Sequence, residues 1–149
     1  MPKLDLDAIP ATNATGYPPE YAGAVAGRWY RRLATVAGLT DFGVSHVRLE
    51  PGAWSSQRHW HEGEDEFVIM LTGQAILVDD DGEHPMGPGE MATFAKGDGN
   101  GHVLQNRGLV PCTFVAVGRP AASACHYPDI DMHLFAQAGR PTRKDGSDF

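Results

Sequence analysis

Gly52-Ala53-Trp54-Ser55-Ser56-Gln57-Arg58-His59-Trp60-His61-Glu62-Gly63-Glu64-Asp65-Glu66-Phe67-Val68-Ile69-Met70-Leu71-Thr72-Gly73 is the stretch on which the reading of this chain turns. In an extended strand successive side chains alternate faces, so His59 and His61 point one way and Arg58 and Trp60 the other. Two imidazoles on one face of one strand make half of a coordination sphere at little entropic cost. A run of acids follows, Glu62, Glu64, Asp65 and Glu66, and the pleat must break within it for an odd-numbered step to return to the same face. Gly63 is the residue expected to permit that break. His102, far downstream, offers a third imidazole. Three nitrogens and one carboxylate oxygen suit one borderline divalent transition ion, Fe, Mn, Ni or Zn. Alternation alone does not choose among the four acids. A His-x-His pair in a strand is also a common surface pair without any ion.

Working outward, turn chemistry recurs throughout. Arg28–Leu33 is expected to be a strand, and residues 34–38 a short turn or helical loop. Further strands are expected at Phe42–Leu49, Ser55–His61, Phe67–Leu71, Ala75–Asp79, Met91–Phe94, His102–Gln105 and Thr113–Val117, with a brief one before Pro88-Gly89. Eight or more short strands broken by Gly, Pro, Asp and Asn point to an antiparallel double-sheet architecture. Asp79-Asp80-Asp81-Gly82 reads as a solvated hairpin turn. There is no internal repeat and no helix-turn-helix segment.

The stretch from Gly52 to Gly73 resembles the first cupin motif, through Gly52, His59, His61, Glu66 and Gly73. Pro88-Gly89-Glu90 through Asn106 resembles the second, with Glu90 where Asp is usual, Ala95 where Pro is usual, and two extra residues between Gly97 and His102. Arg58-His59-Trp60-His61, Gly97-Asp98-Gly99 and His126-Tyr127-Pro128-Asp129-Ile130-Asp131 are similar to a branch of small single-domain bacterial cupins. The resemblance implies an all-β fold: a single cupin double-stranded β-helix, or jelly-roll barrel of antiparallel strands, with an N-terminal arm. One domain over 1–149 is expected, with the arm at 1–27, the barrel core at 28–120 and a C-terminal tail at 121–149. The resemblance also selects Glu66 from the acids, giving His59, His61, Glu66 and His102 as the implied ligand set. The longer loop before His102 makes a one-residue register shift the competing expectation, which would turn that imidazole away.

Composition agrees with a one-domain globular chain of 149 residues, 42% apolar and 21% charged, in which 18 glycines and 11 prolines favour short strands over long helices. A net charge of -7 argues against nucleic acid and anionic membranes as partners. No apolar run approaches the roughly 18 residues needed to span a bilayer. Cys112 and Cys125, in a chain without a recognisable secretory signal, read as free thiols of the cytoplasm.

Several residues carry secondary expectations. Gln57 shares the face of His59 and His61 and is expected to line the substrate pocket, or else to pack as a polar group near the barrel mouth. Leu104 shares the face of His102 and is expected to be an apolar pocket wall, with Val103 pointing outward. Arg58 is expected to pair with Glu62 or Glu64. His46 reads as structural, and His84 and His133 as surface residues. Residues 126–129 are expected to fold over the mouth as a lid or to seal the base. Phe67–Leu71 is apolar on both faces, which calls for a cover: the arm or a second subunit. Trp60 either packs on its own chain or joins a dimer seam; cupins commonly pair, so a homodimer is expected.

The function expected from the resemblance and the donor set is metal-dependent chemistry on a small oxygen-bearing molecule, by dioxygenation, lyase chemistry or isomerisation. The alternative is non-catalytic binding of a sugar or organic acid.

Overall fold

The structure, a computed structural model, describes residues 3–149. Eleven strands dominate it: β1 (Arg28–Arg32), β2 (Gly43–Leu49), β3 (Trp60–His61), β4 (Glu66–Thr72), β5 (Ala75–Asp79), β6 (Gly82–Met86), β7 (Met91–Phe94), β8 (Val103–Gln105), β9 (Cys112–Gly118), β10 (Cys125–Tyr127) and β11 (Met132–Leu134). Two short helices, α1 (Pro19–Ala22) and α2 (Leu33–Ala37), accompany them. All pairings are antiparallel. One sheet has the order β1-β2-β9-β4-β7; two three-stranded sheets run β11-β10-β3 and β6-β5-β8. Bridges Trp54↔Gln105 and His59↔His102 join the smaller sheets into a second layer.

The layers are held by one apolar core. Val47 and Leu49 of β2, Val68 and Met70 of β4 and Phe114 of β9 meet Ala75 and Leu77 of β5, Met86 of β6 and Leu104 of β8. Each strand sends alternate residues inward, as period-two patterning requires. Gly73 shows why β4 and β5 are joined by glycine. Its φ is +68°, and a Cβ there would meet the Pro111 carbonyl at 2.6 Å.

Residues of the N-terminal arm lie on the chain's own sheets. Thr12 bridges Tyr30, the Tyr30 hydroxyl donates to the Ala14 carbonyl at 2.9 Å, and Arg31 Nε donates to the Ile9 carbonyl at 2.8 Å.

Three expectations need correction. Ser55–His61 is not one strand; only Trp60–His61 pairs regularly, because the Gln57 peptide is held by side chains. Its N–H donates to the Tyr17 hydroxyl at 3.1 Å and its carbonyl faces His59 Nδ1 at 2.9 Å. The segment after residue 120 is more than a tail: β10 pairs with β3 and with β11, extending the second layer. Arg58 pairs with neither Glu62 nor Glu64. It grips Asp129 through two bonds of 2.8 Å and also contacts Asp80 in the β5–β6 turn, so the turn residue reads as a strut as well as solvated.

Candidate metal centre

The first motif's acids are sorted one by one. Glu62 Oε1 lies 2.7 Å from His126 Nε2. Glu64 is buried and accepts the N–H groups of Ala122 and Ser123 at 2.8 and 2.9 Å. Asp65 accepts the Lys96 N–H at 2.9 Å. Glu66 alone turns inward, as the first residue of β4 on the face of Val68 and Met70. Gly63 serves this arrangement by its size and not by a left-handed backbone: a Cβ would come within 2.9 Å of the Ser123 Cβ.

One donor atom each from His59, Glu66 and His102 lies within 4.8 Å of the others. His102 Nε2 is 2.8 Å from Glu66 Oε2, and His59 Nε2 is 3.7 Å from the same oxygen. His61 Nε2 approaches the other oxygen, Oε1, at 3.7 Å. The three expected imidazoles therefore border the Glu66 carboxylate, with His59, Glu66 and His102 the tighter group. The register that carries His102 inward is fixed by a reciprocal backbone pair with His59, at 3.2 and 2.9 Å. The longer loop before it is anchored by Gly97 N–H donating to the His61 carbonyl at 2.8 Å and by Asn100, whose Oδ1 accepts the Asp80 N–H at 2.9 Å. Asn106, 1% exposed, then ties the end of β8 to Leu49 and Val110 through their carbonyls.

The donor set fits a divalent ion. His59 Nδ1 faces the Gln57 carbonyl, which can only accept, so the ring proton sits on Nδ1 and the Nε2 lone pair is left toward Glu66. Burial, opposed by Glu66, pushes His59 down to about 4. Burial works to raise Glu66, but the His102 hydrogen bond and the facing imidazoles outweigh it and hold the carboxyl down to about 2. A neutral imidazole beside a carboxylate is the protonation state that metal coordination needs. Buried Nδ1 atoms of His61 and His102 have no hydrogen-bond partner. Phe94 lies flat on the His102 ring, with centroids 3.5 Å apart.

Behind the imidazoles stands a wall in which Cys125 was not anticipated. Cys125, with His59 and His61, forms a second group of donors within 4.8 Å; burial pushes its thiol up to about 12. Tyr127 stacks over His59 at 5.8 Å. Residues 126–129 thus back the donors from within the sheet and do not fold over the mouth as a lid. Trp60 stacks on His126 of its own chain, 4.1 Å between centroids.

His59, Glu66 and His102, but not His61, line a cavity of about 490 Å³. Leu104 lines it, as its face-sharing with His102 predicts, while Val103 is buried and not outward. Gln57 does not line it: its Nε2 donates to the Tyr21 carbonyl at 2.9 Å, which makes it a packing residue under the arm. His46 faces away from the cavity, between Arg31 and Val115. His84 lies in β6, bonded to Asp79 at 3.0 Å, and His133 is half-buried in β11 against His126 and Phe135. The cavity's polar walls also include Tyr17, Arg28, Tyr30, Arg32 and Arg119, the arginines also unanticipated although Arg28, Tyr30 and Arg32 share a face by period two.

Comparison with known proteins agrees with this geometry. The cupin domain model matches residues 45–118. A crystal structure described as a sugar phosphate isomerase from a cupin superfamily, from Silicibacter pomeroyi DSS-3, is 48% identical. The alignment covers 99% of this chain and 96% of that one, with a TM-score of 0.93. The polyketide cyclase RemF from Streptomyces resistomycificus shares the fold at 21% identity, covering 79% and 78% of the two chains with a TM-score of 0.65. A Cupin 2 conserved barrel domain protein from Salinispora arenicola CNS-205 does so at 24%, covering 82% and 89%, with a TM-score of 0.58. No curated protein matches the chain.

Proposed function

This chain belongs to the cupin superfamily, and on that premise we propose that it is a metal-dependent enzyme acting on a small oxygen-bearing molecule, with His59, His61, Glu66 and His102 as its metal ligands. The observation that carries the reading is the convergence of His59, Glu66 and His102 on the wall of the cavity. Such an ion, Fe, Mn, Ni or Zn, supplies a Lewis acid able to polarise a bound carbonyl. The chain's own residues do the rest. Gln57 fixes the His59 ring through its carbonyl, Phe94 fixes the plane of His102, and Val47, Val68, Leu104 and Phe114 give the cavity a dry wall. Among dioxygenation, lyase chemistry and isomerisation, isomerisation has the support of the 48% identical relative described as a sugar phosphate isomerase.

A second reading, non-catalytic binding of a sugar or organic acid, is favoured by one observation: among the described residues no carboxylate or imidazole lines the cavity apart from His59, Glu66 and His102. Metal analysis of protein purified without added metal, followed by incubation with aldoses and aldose phosphates in deuterated water, separates the readings. One equivalent of metal with deuterium appearing beside the carbonyl is the expected result. Bound metal with no exchange, no oxygen uptake and no product means a binder; absence of metal overturns the proposal.

The reading includes a homodimer. With Val68, Met70 and Phe114 in the core, alternation turns Ile69 of β4 and Val115 of β9 to the opposite face, where both stay partly exposed. A second copy seated there would complete their burial.

A further inference from the structure

We infer that the cavity takes a ligand with an anionic oxygen group, a phosphate or a carboxylate, and that Arg28, Arg32 and Arg119 hold that group within the cavity that the metal donors also line. The inference names the substrate class of the site proposed above and rests on that site being the binding cavity.

The chain has nine arginines. Five of them, Arg48, Arg58, Arg107, Arg140 and Arg143, lie within 4.0 Å of a carboxylate. Arg31, on the outer face of β1, donates to a backbone carbonyl. The remaining three are Arg28, Arg32 and Arg119; among the described residues none has a carboxylate partner, and all three line the cavity. In a protein of net charge -7, leaving three guanidiniums unneutralised around one opening creates a local positive field where the molecule as a whole would repel an anion.

Their placement is specific. Arg28, Tyr30 and Arg32 alternate along β1 on the face whose neighbours in β2 are Leu49, Val47 and Ser45. The Tyr30 ring separates the two guanidiniums, each 5.3 Å from its centroid, so both are spaced and oriented by one aromatic plane. Arg28 sits deeper: Nη1 donates to the Ser55 carbonyl at 2.8 Å, and its buried Nε has no partner. A buried unpaired guanidinium N–H is costly and is relieved by an oxyanion in the cavity. Arg32 and Arg119 are exposed at the rim. Arg119 follows Gly118, the residue opposite Glu66 in the β4–β9 register, so the basic rim begins one residue from the metal donors. A small molecule that offers one oxygen to the metal and an anionic group to the arginines fits a cavity lined by both.

Calorimetric titration with inorganic phosphate, glucose 6-phosphate, gluconate and glucose tests this, using wild type and the metal-free His59→Ala/His61→Ala variant. Binding of the anions, with glucose at least about tenfold weaker, is expected, as is weakening by added salt. Stronger binding of glucose 6-phosphate than gluconate assigns a phosphate; the reverse assigns a carboxylate. Arg32→Gln and Arg119→Gln, both at exposed positions, should each weaken the anion about tenfold, and Arg48→Gln, on the outer surface, should leave it unchanged. Anion binding that persists in the metal-free variant upholds the inference even if the metal reading fails. Metal uptake without anion binding, or anion binding indifferent to Arg32→Gln and Arg119→Gln, overturns the inference and leaves the metal reading standing.

Discussion

Phe94 and His102 lie with their rings 6° from parallel and 3.5 Å apart, so the last residue of β7 sets the plane of an imidazole carried by the strand-entry residue of β8. His102 in turn reaches Glu66, the residue that pairs with Phe94 across β4 and β7. The three form a closed triangle in which one strand pair fixes both the carboxylate and the ring that faces it.

His102→Ala is therefore expected to lower metal affinity by about 100-fold, and Phe94→Leu by about tenfold, because loss of an orienting contact costs less than loss of a ligand. Competition with a chelating dye measures both. Unchanged affinity in His102→Ala would remove it from the ligand set.

The double variant His59→Ala/His61→Ala should lose stoichiometric metal while keeping its far-ultraviolet circular dichroism. Neither ring belongs to the apolar core cluster, which spans both layers without them. Undiminished metal on elemental analysis would refute the site.

Metal-free protein should lose stability on acidification. His59 titrates at about 4 in the folded state against 6.5 ordinarily, so the unfolded chain takes up its proton first as pH falls through 6.5, and the folded state is penalised increasingly down to about 4. Glu66, at about 2 against 4.5, continues the same trend below that window. Both effects are absent above neutrality. Urea midpoints at about pH 7.5 and about pH 5 should show the loss; equal midpoints would contradict a buried neutral His59.

Glu64→Ala should destabilise the fold by about 1–3 kcal/mol, since it strands the N–H groups of Ala122 and Ser123 that a buried carboxylate now satisfies. Denaturant titration reads this directly, and a change near zero would show that water replaces the carboxylate.

Ile69→Lys should convert a dimer into a monomer in sedimentation at micromolar concentration without altering metal content. A wild-type chain that sediments only as monomer would dispose of the homodimer.

Much of this was legible because strands report themselves through turns and alternation. Ala75–Asp79 and Met91–Phe94 fall where the pattern puts them, and donor atoms of His59, Glu66 and His102 lie within 4.8 Å of one another. Gln57 misled because alternation holds only while the backbone is in a ladder, and two tyrosines of the arm had taken its peptide and side chain. Cys125 was missed because β10 is three residues long, too short for a period, and is a strand only through its pairing with β3 and β11. Arg58 chose Asp129 over the nearer acids because sequence distance carries no information across a sheet.

The pairing of β3 with β10 also sets an order of events at the ribosome. His59 and His61 are synthesised well before the strand that backs them, which ends at residue 127, and before its own neighbour, which ends at 134. Until then the two imidazoles have neither Tyr127 behind them nor a ladder to hold their spacing. A growing chain thus displays ligands long before it has a socket. Assembly of the socket waits for that later strand to be made and paired.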